Sequence, residues 1–112
     1  KDELSNWIDE EYIIVDNETF IKDAENTQIN HVTLKDMYSR FKESSMFNNS
    51  SKYVKRTKYS KNGFEDEVKE NIKVKPYYVK EKQVNKIPIK NAFIRMRPKT
   101  DEEKEDISTS DI

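Results

Sequence analysis

Apolar residues recur along the chain at intervals that change from helical to alternating about two thirds of the way through. Near the start, Leu4, Trp7 and Ile8 stand at i, i+3 and i+4 with Glu10 and Glu11 on the other side, which predicts a short amphipathic helix through about Glu11. Tyr12 to Val15 (YIIV) either extends that helix or forms a short extended piece. Phe20, Ile21 and Ala24 supply another helical turn before the polar loop Glu25 to Asn30. The strongest signal is TLKDMYSRFKES. Thr33 and Asp36 form a capping-box-like pair, and Leu34, Met37, Tyr38 and Phe41 fall at i, i+3, i+4 and i+7, giving a helix with one buried face. The preceding HVT is short and suits a strand residue or two. The following SSMFNNSS reads as a loop whose Met46 and Phe47 fold back onto the core.

A second amphipathic stripe, Phe64, Val68 and Ile72, follows the cationic stretch SKYVKRTKYSKNG, with Ser60 as its N-cap. Gly63 is the only glycine. In a first helical turn it costs about 1 kcal/mol relative to alanine, so it marks a tight approach or a later helix start. After Ile72 the period shortens. VKPYYVK and NAFIRMR alternate apolar and polar residues, and the polar, basic KEKQVNKIPIK between them reads as the long charged tip of a hairpin. From Asp101 onward no periodicity remains, which predicts a disordered acidic tail over 101–112. The expected architecture is α+β: a winged helix-turn-helix over residues 1–100, with helices followed by a two-stranded β-hairpin wing.

Charge sharpens this picture. The 112 residues carry a formal net charge of −1, but residues 1–30 hold two cations and nine anions, 31–100 hold 18 cations and seven anions, and 101–112 hold one cation and six anions. An acidic N-terminal helical segment and an acidic tail thus flank a basic core, the pattern of a surface that meets polyanions. With 38% charged and 33% hydrophobic residues the composition leans toward disorder, yet five Phe, six Tyr and one Trp are enough to close a modest core. The absence of cysteine excludes disulfides and thiolate metal sites and favours an intracellular setting. No apolar run approaches the roughly 20 residues that span a bilayer, so no membrane partner is expected. The chain starts at Lys1 without a methionine and reads as a fragment of something longer.

Catalytic chemistry is poorly provided for. There is one histidine, His31, placed as a packing or capping residue, and there is no glycine-rich loop to cradle a nucleotide phosphate. Carboxylate pairs such as Asp66 with Glu70 belong to a solvated helix face. A non-enzymatic module without cofactor, metal or small-molecule substrate is therefore expected.

Polyanion binding needs only clustered cations on a shaped surface. Lys52, Lys55, Arg56, Lys58 and Lys61 are each suited to a phosphate. Tyr53 and Tyr59 suit a phosphate hydrogen bond or a sugar face, although each taken singly also reads as core or rim packing, and Asn62 suits a base edge. Lys80, Lys82, Lys86 and Lys90 fall on the hairpin, so a DNA backbone would be gripped from two sides. Against this, Glu65, Asp66, Glu67 and Glu70 on the second helix repel phosphates unless they face away.

Three stretches resemble the C-terminal winged-helix domain of poxvirus-type primase-helicases of large DNA viruses. VTLKDMYSRFKES is similar to that family's Val-x-Leu-x-x-x-Tyr-x-x-Phe-Lys helix, SKNGFEDEVKENI to its Ser-x-x-x-Phe helix, and NAFIRMRPK to its last wing strand, covering about residues 30–100. In that family the domain follows a helicase ATPase core and helps bind DNA. The resemblance implies such a role here, in the cytoplasm or nucleus of a host cell. It assigns Val32, Leu34, Tyr38, Phe41 and Phe64 to the scaffold, and Lys61 and Asn62 to the contact end of the second helix. Because no Walker motif is present, it implies no ATPase in this chain. Two other readings stand beside DNA binding: an interaction domain that docks an acidic partner or neighbouring subunit, and an acidic tail that folds over the basic surface as a DNA mimic.

Overall fold

In the computed structural model, which describes residues 2–104, each early helix starts at a side chain that satisfies an otherwise unpaired amide. Asp2 accepts from the Ser5 amide at 2.7 Å and starts α1 (Glu3–Glu11), which buries Leu4, Trp7 and Ile8. The chain then turns extended as β1 (Tyr12–Ile14), which decides between the two readings of YIIV. Successive β-branched residues disfavour helix, and this segment pairs antiparallel with β5 (Met96–Pro98), Tyr12 opposite Pro98 and Ile14 opposite Met96. Asp16 caps α2 (Asn17–Glu25), which buries Phe20 and Ala24 one turn apart. Ile21, expected on the same face, is 51% exposed.

β2 (His31–Thr33) leads directly into α3 (Leu34–Phe41), and Thr33 accepts from the Asp36 amide at 3.0 Å as its capping pattern predicts. Leu34, Met37 and Phe41 are buried, and the half-buried Tyr38 donates its hydroxyl hydrogen to the Tyr59 carbonyl at 2.9 Å. The expected loop contains a helical turn, α4 (Ser45–Asn48), and the cationic stretch begins with another, α5 (Lys52–Arg56). Ser44 and Ser51 cap them, although neither turn carries an apolar stripe. Met46 and Phe47 do pack against the core.

Ser60 caps α6 (Lys61–Lys69), where Phe64 and Val68 are buried. The helix ends before Ile72, which is 86% exposed and does not continue the stripe. Gly63 belongs to the first turn of α6, where a Cβ would stand 2.8 Å from the Lys58 carbonyl oxygen and closer still to that of Thr57. The glycine thus marks a tight approach.

A 3-10 turn (Lys75–Tyr77) leads into β3 (Tyr78–Val84) and β4 (Ile87–Ile94). These strands run through the segment expected as a charged tip. The tip is only Asn85–Lys86, both at positive φ (51° and 69°), as in the tight hairpin turn whose twist matches that of the strands. The sheet order is β2-β4-β3. Since β2 pairs only with residues 92–94 of β4, Pro88 lies beyond it and no ladder bond needs its missing N–H. Arg95, at φ 61°, lets the chain leave this sheet for β5; its amide donates to the Asn30 carbonyl and its Nε to the Val15 carbonyl, both at 2.9 Å.

Two apolar clusters result. One centres on Phe41, fully buried, stacked on Phe64 at 4.5 Å and met edge-on by Trp7 at 5.1 Å. The other joins Phe20 and Ala24 of α2 to Val84, Ile89 and Ala92 of the hairpin. The expectation of a disordered tail from Asp101 is corrected for residues 101–104, which form a helical turn. Thr100 and Glu103 make a reciprocal capping box, the Glu103 carboxylate accepting from the Thr100 amide at 2.8 Å and the Thr100 hydroxyl from the Glu103 amide at 3.2 Å. Arg97 grips Glu103 with two bonds, at 2.9 and 2.8 Å. Residues 105–112 of the expected tail lie outside the described residues.

Candidate nucleic-acid interface

The N-cap residues decide where the cations of the helices emerge. Thr33 puts Lys35 in the first turn of α3, and Ser60 puts Lys61 and Asn62 in the first turn of α6; all three are exposed. In β4, Ala92 and Phe93 alternate normally, one into each cluster, but Ile89 packs in the same cluster as Ala92 three residues later. The phase changes at Asn91, which has φ 47°. Lys90, next to Ile89, consequently points away from α2. Lys35, Lys61, Lys90 and Asn91 together line an open cleft of about 530 Å³, with Thr33, Leu34 and Glu65 as the other walls.

Positive charge in this cleft has two sources. Three ammonium groups come from three different elements, and two helix N-termini add partial positive charge. Glu65 offsets them in part, with its Oε2 3.8 Å from Lys61 Nζ. The other α6 carboxylates are directed or paired elsewhere: Asp66 lies 3.9 Å from Lys69, while Glu67 and Glu70 line a separate cleft with Asp2, Leu4 and Asn71. The repulsion expected from the acidic helix is therefore confined mainly to Glu65.

The other sequence-predicted residues distribute differently. Lys52, Arg56 and Lys58 are exposed on or just after α5, and Lys55 is half-buried with Nζ 5.3 Å from the centre of the Phe47 ring. Among the described residues none of these four forms an ion pair; of the N-terminal carboxylates, Glu11 binds Arg40 and Lys104, and Asp9 binds Lys73. Lys58 is close enough to Asp2 to help lower its carboxyl pKa, an effect due first to the hydrogen bond from the Ser5 amide. Tyr53 is 70% exposed and available to a ligand. Tyr59 is not: its ring is buried, edge-on to Phe41 at 4.9 Å, and burial raises its hydroxyl pKa against the opposing pull of Lys58. This aromatic is part of the core, which corrects its assignment as a contact residue.

The hairpin cations separate as well. Lys82 pairs across the ladder with Ile89, and cross-strand partners share a face, so Lys82 lies on the α2 side of the hairpin, opposite Lys90. Lys86 is exposed in the turn, which is held against α2 by the Asn85 side-chain amide donating to the Ala24 carbonyl at 2.6 Å. A backbone gripped between α6 and the hairpin would therefore meet Lys61 and Lys90 but not Lys82. Lys35 was missed from the sequence, although the Thr33 cap already placed it at a helix start.

His31 sits with Nδ1 2.9 Å from the Ile29 carbonyl. Among the described residues no group of three or more His, Asp or Glu side chains is placed to hold a metal ion, and no helix is long and apolar enough to cross a membrane. Comparison with known protein families, with curated proteins and with solved structures gave no match for this chain.

Proposed function

We propose that this chain is a non-catalytic winged-helix module that binds DNA chiefly through its phosphates, as part of a larger replication or transcription protein such as a primase-helicase. The element order supports the winged helix: a short strand, the capped helices α3 and α6 with the short helical turns α4 and α5 between them, and a hairpin, with the short strand pairing to the second hairpin strand in the order β2-β4-β3. α6 takes the place of the recognition helix and β3–β4 that of the wing. The carrying observation is the convergence of Lys35, Lys61 and Lys90 from α3, α6 and β4 on one cleft at the start of α6. A phosphate there meets cations from both sides, while Asn62 and Tyr53 are exposed for base or sugar contact.

Affinity for duplex DNA then falls steeply with salt, because each neutralised phosphate releases counterions. Four to six contacts give a log-log slope of about −4 to −5. Lys35→Ala, Lys61→Ala and Lys90→Ala each make the slope shallower by about 1, whereas Lys82→Ala leaves it unchanged. Fluorescence anisotropy at several salt concentrations measures this. Binding that ignores salt, or a Lys82 effect equal to that of Lys90, refutes the assignment.

A further inference from the structure

A groove of about 740 Å³ lies between α1 and α4 and shares no residue with the cationic cleft. Its walls carry Glu3, Glu10, Glu11 and Glu43. Glu11 is matched by Arg40 at 3.3 Å and Lys104 at 3.2 Å; Glu3, Glu10 and Glu43 form no ion pair among the described residues. Two of these carboxylates stand where a helix favours cations. Glu10 is in the last turn of α1, which contains no basic residue, and Glu43 directly follows the C-cap of α3. Apart from the two partners of Glu11, nothing in the described fold offsets the negative charge that the groove concentrates.

A second observation is independent of that charge. Trp7, 7% exposed, lines the groove and is wedged edge-on among Tyr12, Phe41 and Phe64. Its indole N–H has no hydrogen-bond partner among the described residues, yet no buried side-chain nitrogen or oxygen there is left unsatisfied. The N–H is therefore not a sealed orphan, and Trp7 brings its indole donor to the wall of a groove that also carries unpaired carboxylates.

We propose that this groove docks a lysine- or arginine-rich peptide segment of a partner protein, its cations meeting Glu3, Glu10 and Glu43 and a main-chain carbonyl accepting from the Trp7 indole. A peptide fits this combination because it alternates carbonyl acceptors with cationic side chains. The site does not depend on the DNA-binding reading.

Trp7 is the only tryptophan, so its emission reports on the groove directly. The full chain is titrated with a short tryptophan-free peptide of alternating arginine and glycine, and with the same peptide carrying glutamine in place of arginine. The expected result is a saturable change in emission with the arginine peptide alone. The Glu3→Gln/Glu10→Gln/Glu43→Gln variant weakens binding by about threefold to a hundredfold, as the loss of three exposed ion pairs implies. Glu67→Gln/Glu70→Gln, on the other acidic cleft, leaves it unchanged. Circular dichroism verifies that both variants fold. The proposal is overturned by an emission that does not respond, by equal response to the glutamine peptide, or by equal weakening in the Glu67/Glu70 variant. Self-association that Glu10→Gln/Glu43→Gln abolishes would assign the groove to a second copy and overturn the partner assignment.

Discussion

Gly63→Ala sets helix propensity against packing at a single atom. Alanine is favoured over glycine inside a helix by about 1 kcal/mol, so on propensity alone the substitution stabilises α6. The added Cβ, however, would lie 2.8 Å from the Lys58 carbonyl oxygen and nearer still to that of Thr57. Neither can easily swing aside, because Thr57 accepts hydrogen bonds from both the amide and the hydroxyl of the capping Ser60, at 3.2 and 2.8 Å. Overpacking costs about 1–3 kcal/mol, and the upper half of that range applies where backbone must move. Subtracting the propensity gain leaves a net destabilisation of about 1–2 kcal/mol. Each kcal/mol lowers the melting temperature of a domain of this size by about 4–8 °C. Urea denaturation followed by circular dichroism measures the difference as a lower midpoint at unchanged slope. Asn62→Ala, in the same turn but exposed, serves as the control and is expected to be neutral or slightly stabilising. A Gly63→Ala protein at least as stable as the parent would show that the close approach of the α5–α6 turn to α6 is not real.

Two further substitutions probe the hairpin and the C-terminal turn. Lys86 has φ 69° in the hairpin turn, so Lys86→Gly, which creates the favoured Asn-Gly pair, is expected to raise stability by about 0.5–1 kcal/mol; a lower thermal midpoint would contradict the turn geometry. The Glu103 carboxyl is held down to about 2, first by its hydrogen bonds from Arg97 and then by the Thr100 amide. Because its folded value lies below the ordinary 4.5, the tie to Arg97 is fully present above that pH and is lost as the pH falls through about 2. An NMR titration should show the Thr100 amide shifting across that window, and Glu103→Gln should remove the transition; a midpoint near 4.5 would show that the fork does not form in solution.

Local signals were legible wherever one short stretch of sequence contains both partners of an interaction. The Thr33–Asp36 and Ser60–Gly63 caps and the stripe of Leu34, Met37 and Phe41 needed only residues a turn or two apart. The Thr100–Glu103 capping box was equally local, but it was obscured by the acidic composition around it. The hairpin was legible as alternation, though its tip was placed too broadly. Exposed strand residues such as Lys80, Lys82 and Gln83 look like loop until the partner strand is known.

By itself the sequence determined the helical starts, the amphipathic faces and the accumulation of cations between residues 31 and 100, because these follow from neighbours a few bonds away. Tertiary structure decided which cations act together. The positive φ at Asn91 puts Lys90 on the side of Lys61 and Lys35, and the Asn85 contact with Ala24 draws the hairpin turn onto α2. Burial against Phe41 removes Tyr59 from the surface and leaves Tyr53 on it. A side chain's charge or ring is fixed by its identity, but its direction depends on backbone phase and on distant packing partners, neither of which is encoded within any single window of the chain.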